Sequence, residues 1–311
     1  MHRRYSSRRN QSNLTQLASP IGLMQTTKLR MNIEKKLIPR KIWLIWFQGV
    51  SKAPFIVKEC IDSWVRKNPT WDIVILDSNN LQNYINLNIS GETLDNVSLV
   101  HQSDLVRLLV LSEYGGVWAD STTFCTKPLD EWIDRYAESG FFVFHKPGKD
   151  RIMSSWFIAS EINSPICTKL YNNLRSYWTT NDFSKPTSLK RKLTSILSII
   201  LNQSSRTTRY WFNPLVTKIM KVYPYFVLHY MFEKLVSEDK ESKAIWRNTK
   251  RLSADPPHLI QKLGLHTRLT QSIKKQLDNN DIPLFKLTWK YDHSRYSADT
   301  LLYYILEKDK G

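Results

Sequence analysis

Residues 41–77 read KIWLIWFQGVSKAPFIVKECIDSWVRKNPTWDIVILD, and the change of element type along them decides the fold. Lys41–Gln48 is a short, strongly apolar run of β-forming residues ending at Gly49, which predicts a buried strand and then a turn. Pro54–Lys67 puts Ile56, Cys60, Ile61 and Trp64 on one helical face, with Pro54 in the first turn and Asn68–Pro69 as the stop. Asp72–Asp77 is a second strand of buried type. Strand, helix and strand in this order make a βαβ unit, and hence a parallel sheet with right-handed crossovers. Further on, a helix is expected over Leu99–Tyr114, stopped by Gly115–Gly116, followed by a strand at Val117–Ala119 that delivers Asp120 at its end. Ligands of open α/β sheets bind beyond the carboxyl ends of strands, so Asp120 is where chemistry is expected. Further strands are expected at Phe141–His145 and Trp156–Ala159, and helices over Pro165–Trp178 and from about Tyr223 to Val236. No internal repeat is legible.

Composition narrows the class. The 311 residues, 41% hydrophobic and 12% aromatic, suffice for one large or two ordinary domains, and 9 Gly with 13 Pro exclude a collagen-like or low-complexity chain. Cys60, Cys125 and Cys167 are odd in number and lack a Cys-x-x-Cys spacing, which argues against a disulfide framework and a cysteine zinc site. A reducing compartment is the expectation. The apolar run Ile42–Phe47 falls far short of the roughly 20 residues a spanning helix needs, and no apolar core follows Arg3, Arg4, Arg8 and Arg9 to make a secretory signal. These features lead us to expect a cytoplasmic protein, in peripheral contact with the inner face of the membrane.

The formal charge of +17 sits in two blocks. Residues 1–41 hold ten Lys/Arg against Glu34 alone, and residues 184–221 hold eight with no acid, which leaves the remainder neutral. This suits a near-neutral catalytic body with two basic appendages better than a nucleic-acid binder, and no RNP, zinc-finger or helix-turn-helix signature accompanies the charge. We read 1–36 as a mostly disordered segment and 37–311 as one domain with a basic, partly helical insertion at 184–221. Within the insertion, Leu189, Leu193, Ile196, Ile199 and Ile200 recur at helical spacing with Lys190, Arg191 and Lys192 at the start. Residues 184–210 are compatible with a helix lying on an anionic membrane, against the plainer reading of a core-packed helix bearing solvated lysines.

Residues 103–122, SDLVRLLVLSEYGGVWADST, concentrate the chemistry. Asp104 and Arg107 share one helical face, and together they suit sugar hydroxyls and an anionic group. Asp120 with two following hydroxyls suits a divalent cation that takes most of its oxygens from phosphate. Taken singly, Asp104 and Arg107 read as a surface pair worth about 0.3 kcal/mol, and Asp120–Thr122 as an ordinary turn.

The stretch resembles the S-D-x-x-R and G-G-x-[YW]-x-D-x-[DT] signature of sugar-transferring enzymes, and more closely the capsular polysaccharide synthesis protein family, relatives of mannosyltransferases and toxin-type glucosyltransferases. The motifs IPRKIWLIWFQG (38–49), SWVRKNPTW (63–71), PLDEW (128–132), SSWFIAS (154–160), YFVLHYMFEKL (225–235) and KLTWK (286–290) follow in order. The resemblance implies an α/β, GT-A-like Rossmann-type nucleotide-sugar-binding domain with a mostly parallel central sheet and helical additions. It implies a DXD-type glycosyltransferase that moves a sugar from a nucleoside diphosphate sugar to a saccharide or lipid-linked acceptor in surface polysaccharide synthesis, assisted by Mn²⁺ or Mg²⁺ and retaining. Trp46, Gln48, Gly49, Asp104, Arg107, Lys286 and Lys290 would hold the donor, with Asp104, Arg107 and Asp120 catalytic. Asp120 and Thr122 would hold the metal, with His229 and His258 as distal candidates, and Ser155, Trp156 and Phe157 would lie on the acceptor side. Thr122 stands where a carboxylate is usual, which weakens direct metal binding. A non-catalytic, membrane-associated scaffold of the same fold is the alternative this substitution allows.

Overall fold

β1 (Lys41–Ile45) is buried from Ile42 to Ile45, as a continuous apolar strand must be when both sheet faces are covered. The chain leaves it through Gly49, crosses in α1 (Phe55–Lys67) and returns in β2 (Asp72–Leu76), parallel to β1. Pro54 caps α1 in an extended conformation rather than lying inside its first turn. α2 (Leu99–Tyr114) then crosses back, and β3 (Gly116–Ala119) pairs parallel to β1 on its other side. Because the chain passes β1 in opposite directions to reach β2 and β3, a crevice opens between the carboxyl ends of β1 and β3, the switch point where α/β sheets bind ligands. The computed structural model describes residues 37–183, 187–279 and 281–308, so the expected disordered segment 1–36 and residues 184–186 of the expected insertion lie outside the described residues.

The six-stranded sheet has the order β2-β1-β3-β6-β5-β7, completed by β5 (Phe141–Gly148), β6 (Arg151–Ser160) and β7 (Leu252–Ser253). Only β6 runs against the others, so the sheet is mostly parallel, as expected. β5 and β6 extend beyond the expected segments because they are joined by a tight turn at Lys149–Asp150. Reversed β6 carries its first residues to the edge where β3 ends: Ala119 lies opposite Phe157, and the Asp120 N–H donates to Trp156 O at 2.9 Å.

Period-two alternation sorts side chains onto two cores. Ile42, Leu44, Val117, Phe142, Phe144 and Phe157 pack with Trp64 of α1 on one face. Trp43, Ile45, Trp118, Phe141 and Ile158 meet α2, α3 (Pro165–Thr180) and α5 (Val227–Glu238) on the other, with α4 (Ser188–Leu201) lying outside both. α5 begins after Tyr223, because Pro224 disfavours a helical residue before it. α4 contains no fully buried residue; Leu193, Leu197 and Leu201 rest on a separate cluster of Trp211, Val216, Val222 and Tyr230. A second sheet, absent from the sequence reading, pairs β4 (Thr123–Cys125) antiparallel with β8 (Leu284–Lys286). No described helix is long and apolar enough to cross a membrane.

Gly116 marks the closest approach of β3 to β1. Its φ is 94°, and a Cβ there would lie 2.4 Å from Lys41 O. We expect Gly116→Ala to cost about 1–3 kcal/mol in urea unfolding from backbone strain alone. Gly91→Ala, in the short helix Gly91–Asp95 where the added carbon meets nothing within 4 Å, should stay within about 1 kcal/mol of the parent. Equal effects would refute this account of Gly116.

Candidate functional site

α2 starts at the carboxyl edge of the sheet and descends to Gly115, so its first half lies beside the end of β3. Asp104 and Arg107 are only 6% and 4% exposed, which makes them a buried pair and not the surface pair a lone i, i+3 spacing suggests. Arg107 Nη2 lies 3.4 Å from Asp104 Oδ1 and 3.3 Å from Asp120 Oδ1. Its Nη1 donates to Ser155 O at 2.5 Å, and Ser103 receives two more of its hydrogen bonds. One guanidinium thus joins α2, the end of β3 and reversed β6.

Asp120 makes the turn with its backbone and lines both cavities with its side chain. Its carbonyl accepts from Thr123 in a turn, while its carboxylate faces outward. Trp118 Nε1 donates to Oδ1 at 3.0 Å, and Lys286 Nζ lies 2.9 Å from Oδ2 and 2.5 Å from Thr122 Oγ1. β4 places Lys286 there, since Thr123 and Lys286 are register partners. Burial pushes the Asp120 carboxyl up, but Lys286 and Arg107 outweigh it and hold the group at about 2. Burial dominates at Asp104, raising it to about 6 against the pull of Arg107, with Asp120 adding repulsion.

Two cavities meet at these groups. One, of about 610 Å³, is walled by Trp46, Phe47, Gln48, Leu99 and Trp289. The other, of about 510 Å³, is walled by Asp104, Arg151, Ser155, Trp156, His229 and His258. Arg107, Asp120, Lys286 and Tyr225 line both. An apolar, aromatic-walled compartment therefore adjoins a polar one across a junction of two cations and two carboxylates. Such a junction suits a ligand with a flat apolar end, an anionic centre and a hydroxyl-rich end.

Trp46, Gln48, Asp104, Arg107, Asp120, Thr122, Ser155, Trp156, His229, His258 and Lys286 all line one cavity or the other. Gly49 lines neither; at φ 81° it shapes the turn after β1. Phe157 is fully buried in an aromatic cluster with Trp64, Trp132 and Phe144, because its register opposite Ala119 keeps it on the core face. Lys290 is exposed, lies over the Trp289 ring and lines neither cavity.

The metal expectation meets a thin donor set. Among the described residues no group of three or more His, Cys, Asp and Glu is arranged to hold a metal. Asp120 and Thr122 offer one carboxylate and one hydroxyl, which fits a hard cation drawing its other oxygens from phosphate and water, and the Lys286 ammonium lies between them. His258 Nδ1 is committed to Ala254 O, and His229 is kept neutral by burial and by nearby Arg151, with its Nδ1 enclosed.

Several lining residues escaped sequence reasoning, Tyr225, Trp289 and Arg151 among them. Tyr225 and Trp289 fall inside the quoted motifs and were signalled only by position there. Arg151, whose guanidinium lies 3.7 Å over Phe226, carries no pattern and reaches the cavity only because β6 is reversed.

A family model described as "Capsular polysaccharide synthesis protein" matches residues 2–186 and 191–305. The chain is 26% identical over 159 residues to the O-glycosyltransferase braB of Annulohypoxylon truncatum, covering 45% of this chain and 38% of that protein. It is 28% identical over 160 residues to the glycosyltransferase afumC of Aspergillus fumigatus, covering 45% and 40%. The match thus spans well under half the length of these relatives. Among solved structures, the PaToxG glycosyltransferase aligns at a TM-score of 0.35 and 16% identity over 65% of this chain and 90% of that one, a likeness too low to bear on the assignment. With the family model matching nearly the whole length, the chain belongs to the capsular polysaccharide synthesis protein family.

Proposed function

We propose that this protein is a glycosyltransferase that moves a sugar from a nucleoside diphosphate sugar to a saccharide hydroxyl, a lipid-linked saccharide included, in the assembly of a surface or capsular polysaccharide. One observation carries the reading: Asp104, Arg107, Asp120 and Lys286, from distant parts of the chain, meet where the aromatic-walled cavity joins the polar one.

In this reading Trp46 and Gln48 receive the nucleoside, and Arg107 and Lys286 face the diphosphate. Asp104 holds the donor sugar, and Ser155 and Trp156 face the acceptor. The bond from the anomeric carbon to the diphosphate oxygen breaks as the bond to the acceptor oxygen forms. The two fixed cations stabilise the charge growing on the departing diphosphate. Asp120 and Thr122 would hold Mg²⁺ or Mn²⁺, which would supply further charge stabilisation to the diphosphate. The carboxylates lining the cavities, Asp104, Asp120 and Asp255, are each paired with a cation. Asp120 and Asp255 are held below the usual carboxylate range by their cations, and Asp104, though raised by burial, is turned to Arg107, which supports a retaining course in which the leaving group takes the acceptor's proton. The position of the Lys286 ammonium favours a second reading, in which it replaces the metal altogether.

Nucleotide diphosphate release from a panel of nucleotide sugars with Mn²⁺ tests the proposal directly; silence with every donor, together with no thermal shift by any nucleoside diphosphate, would overturn it. EDTA should reduce the rate to background and Mn²⁺ restore it, whereas a rate that persists in EDTA assigns the cationic role to Lys286. Asp120→Asn should lower turnover by about 10²–10³ while the circular dichroism spectrum is kept; parental turnover in this variant would remove Asp120 from the mechanism.

Asp104 also makes stability depend on pH. Its folded-state carboxyl titrates near 6, above the roughly 3.9 of an exposed aspartate, so between these values the folded chain keeps a proton the unfolded chain has lost. Stability from this group therefore falls as pH rises from about 4 to about 6, by up to about 3 kcal/mol. Asp120 acts oppositely, contributing above about 4 and losing its contribution as pH falls toward 2. Urea unfolding of the parent and Asp104→Asn at pH 4 and 6.5 should show the loss in the parent alone; the same loss in both would refute it.

A further inference from the structure

Nearly half of the large apolar side chains exposed among the described residues fall between Leu189 and Ile219. On α4, Leu189, Ile196, Ile199 and Ile200 stand exposed beside the edge formed by Leu193, Leu197 and Leu201, which rests on the small cluster beneath. Leu189 and Ile199 are 74% and 68% exposed, and Ile219, beyond the helix, is 73% exposed. Side chains of this type at 189, 196 and 200 recur at intervals of seven and four, so they form a stripe along the helix. Lys192 falls within the stripe by helical spacing and is exposed.

Charge selects the occupant. Residues 184–221 contain eight Lys/Arg and no acidic residue, so the stripe belongs to a strongly basic segment, in which Lys221 pairs with Asp182 from outside it. A nucleic acid would satisfy the charge and leave the Ile and Leu side chains in water. An anionic bilayer satisfies both, because its interface takes apolar side chains a short way in while its headgroups meet the lysines. At the start of α4 a cavity of about 300 Å³ is lined by Lys190, Arg191, Thr194, Lys221 and Tyr223, which suits a phosphate group. Tyr225 lines this cavity and both cavities of the candidate site, so the basic face continues to the mouth of the cleft.

We propose that α4 and the segment through Ile219 dock on an anionic lipid bilayer, with the basic cavity receiving a lipid phosphate, and that the cleft mouth is thereby held at the membrane surface. The docking stands without the glycosyltransferase reading; only its consequence, that the acceptor is met at the membrane, rests on it. The test is flotation of the full chain with phosphatidylcholine vesicles and with vesicles that also contain phosphatidylglycerol. The parent should float with the anionic vesicles only. Ile199→Glu/Ile200→Glu should lower partitioning at least about tenfold with an unchanged melting curve, and Ile219→Glu and Lys190→Glu/Arg191→Glu should each weaken it. No flotation of the parent, equal flotation with both vesicle types, or parental flotation of the α4 and Ile219 variants would overturn the proposal. Nucleotide-sugar hydrolysis is measured separately in vesicle-free buffer, so its absence with flotation intact counts against the catalytic reading alone.

Discussion

A buried guanidinium organises this protein's candidate site. Arg107 is almost inaccessible to water, and a charge so placed persists only when its donors are met. Its partners come from three directions: Asp104 on its own helix, Asp120 at the end of β3, and the carbonyl of Ser155 on β6. Removing any one leaves a buried charge short of compensation, which is a stronger constraint than any single apolar contact in the same region. The geometry of the junction is therefore fixed before a ligand arrives, which is the condition under which electrostatic stabilisation of a leaving group is most effective.

Topology supplies the reason these groups meet. The passage of the chain to either side of β1 opens the crevice, and the reversal of β6 turns what would have been a far-edge segment into one wall of it. The small β4–β8 sheet does the rest by laying Lys286 against Asp120 and Thr122. The result separates an aromatic compartment from a polar one, with the charged groups confined to the border between them.

Charge is partitioned on a larger scale too. Residues 1–41 and 184–221 carry the excess, and the rest of the chain is neutral. α4 rests on a small cluster of Trp211, Val216, Val222 and Tyr230, apart from the two that cover the sheet. The exposed side of α4 can thus vary without disturbing the packing that holds Arg107.

What could be read from the sequence was local. The apolar run at 42–45, the amphipathic face of α1 and the Gly115–Gly116 stop announced the βαβ unit and the parallel sheet, because element type depends on spacing within a few residues. The motif at 103–122 pointed to Asp104, Arg107 and Asp120, yet the same spacing fits a solvated ion pair and a plain turn; burial removed the solvated pair for Asp104 and Arg107, and burial is a property of what packs on top. Phe157 and Lys290 stood in the same motifs and line neither cavity, the first held in the core by strand register and the second lying beyond the end of β8. Arg151 stood in no motif at all. By itself the sequence determined the elements, their order and the identity of the charged groups. The tertiary structure alone decided which of those groups share a cavity, because strand direction and register act between residues too far apart in the chain for any local pattern to encode.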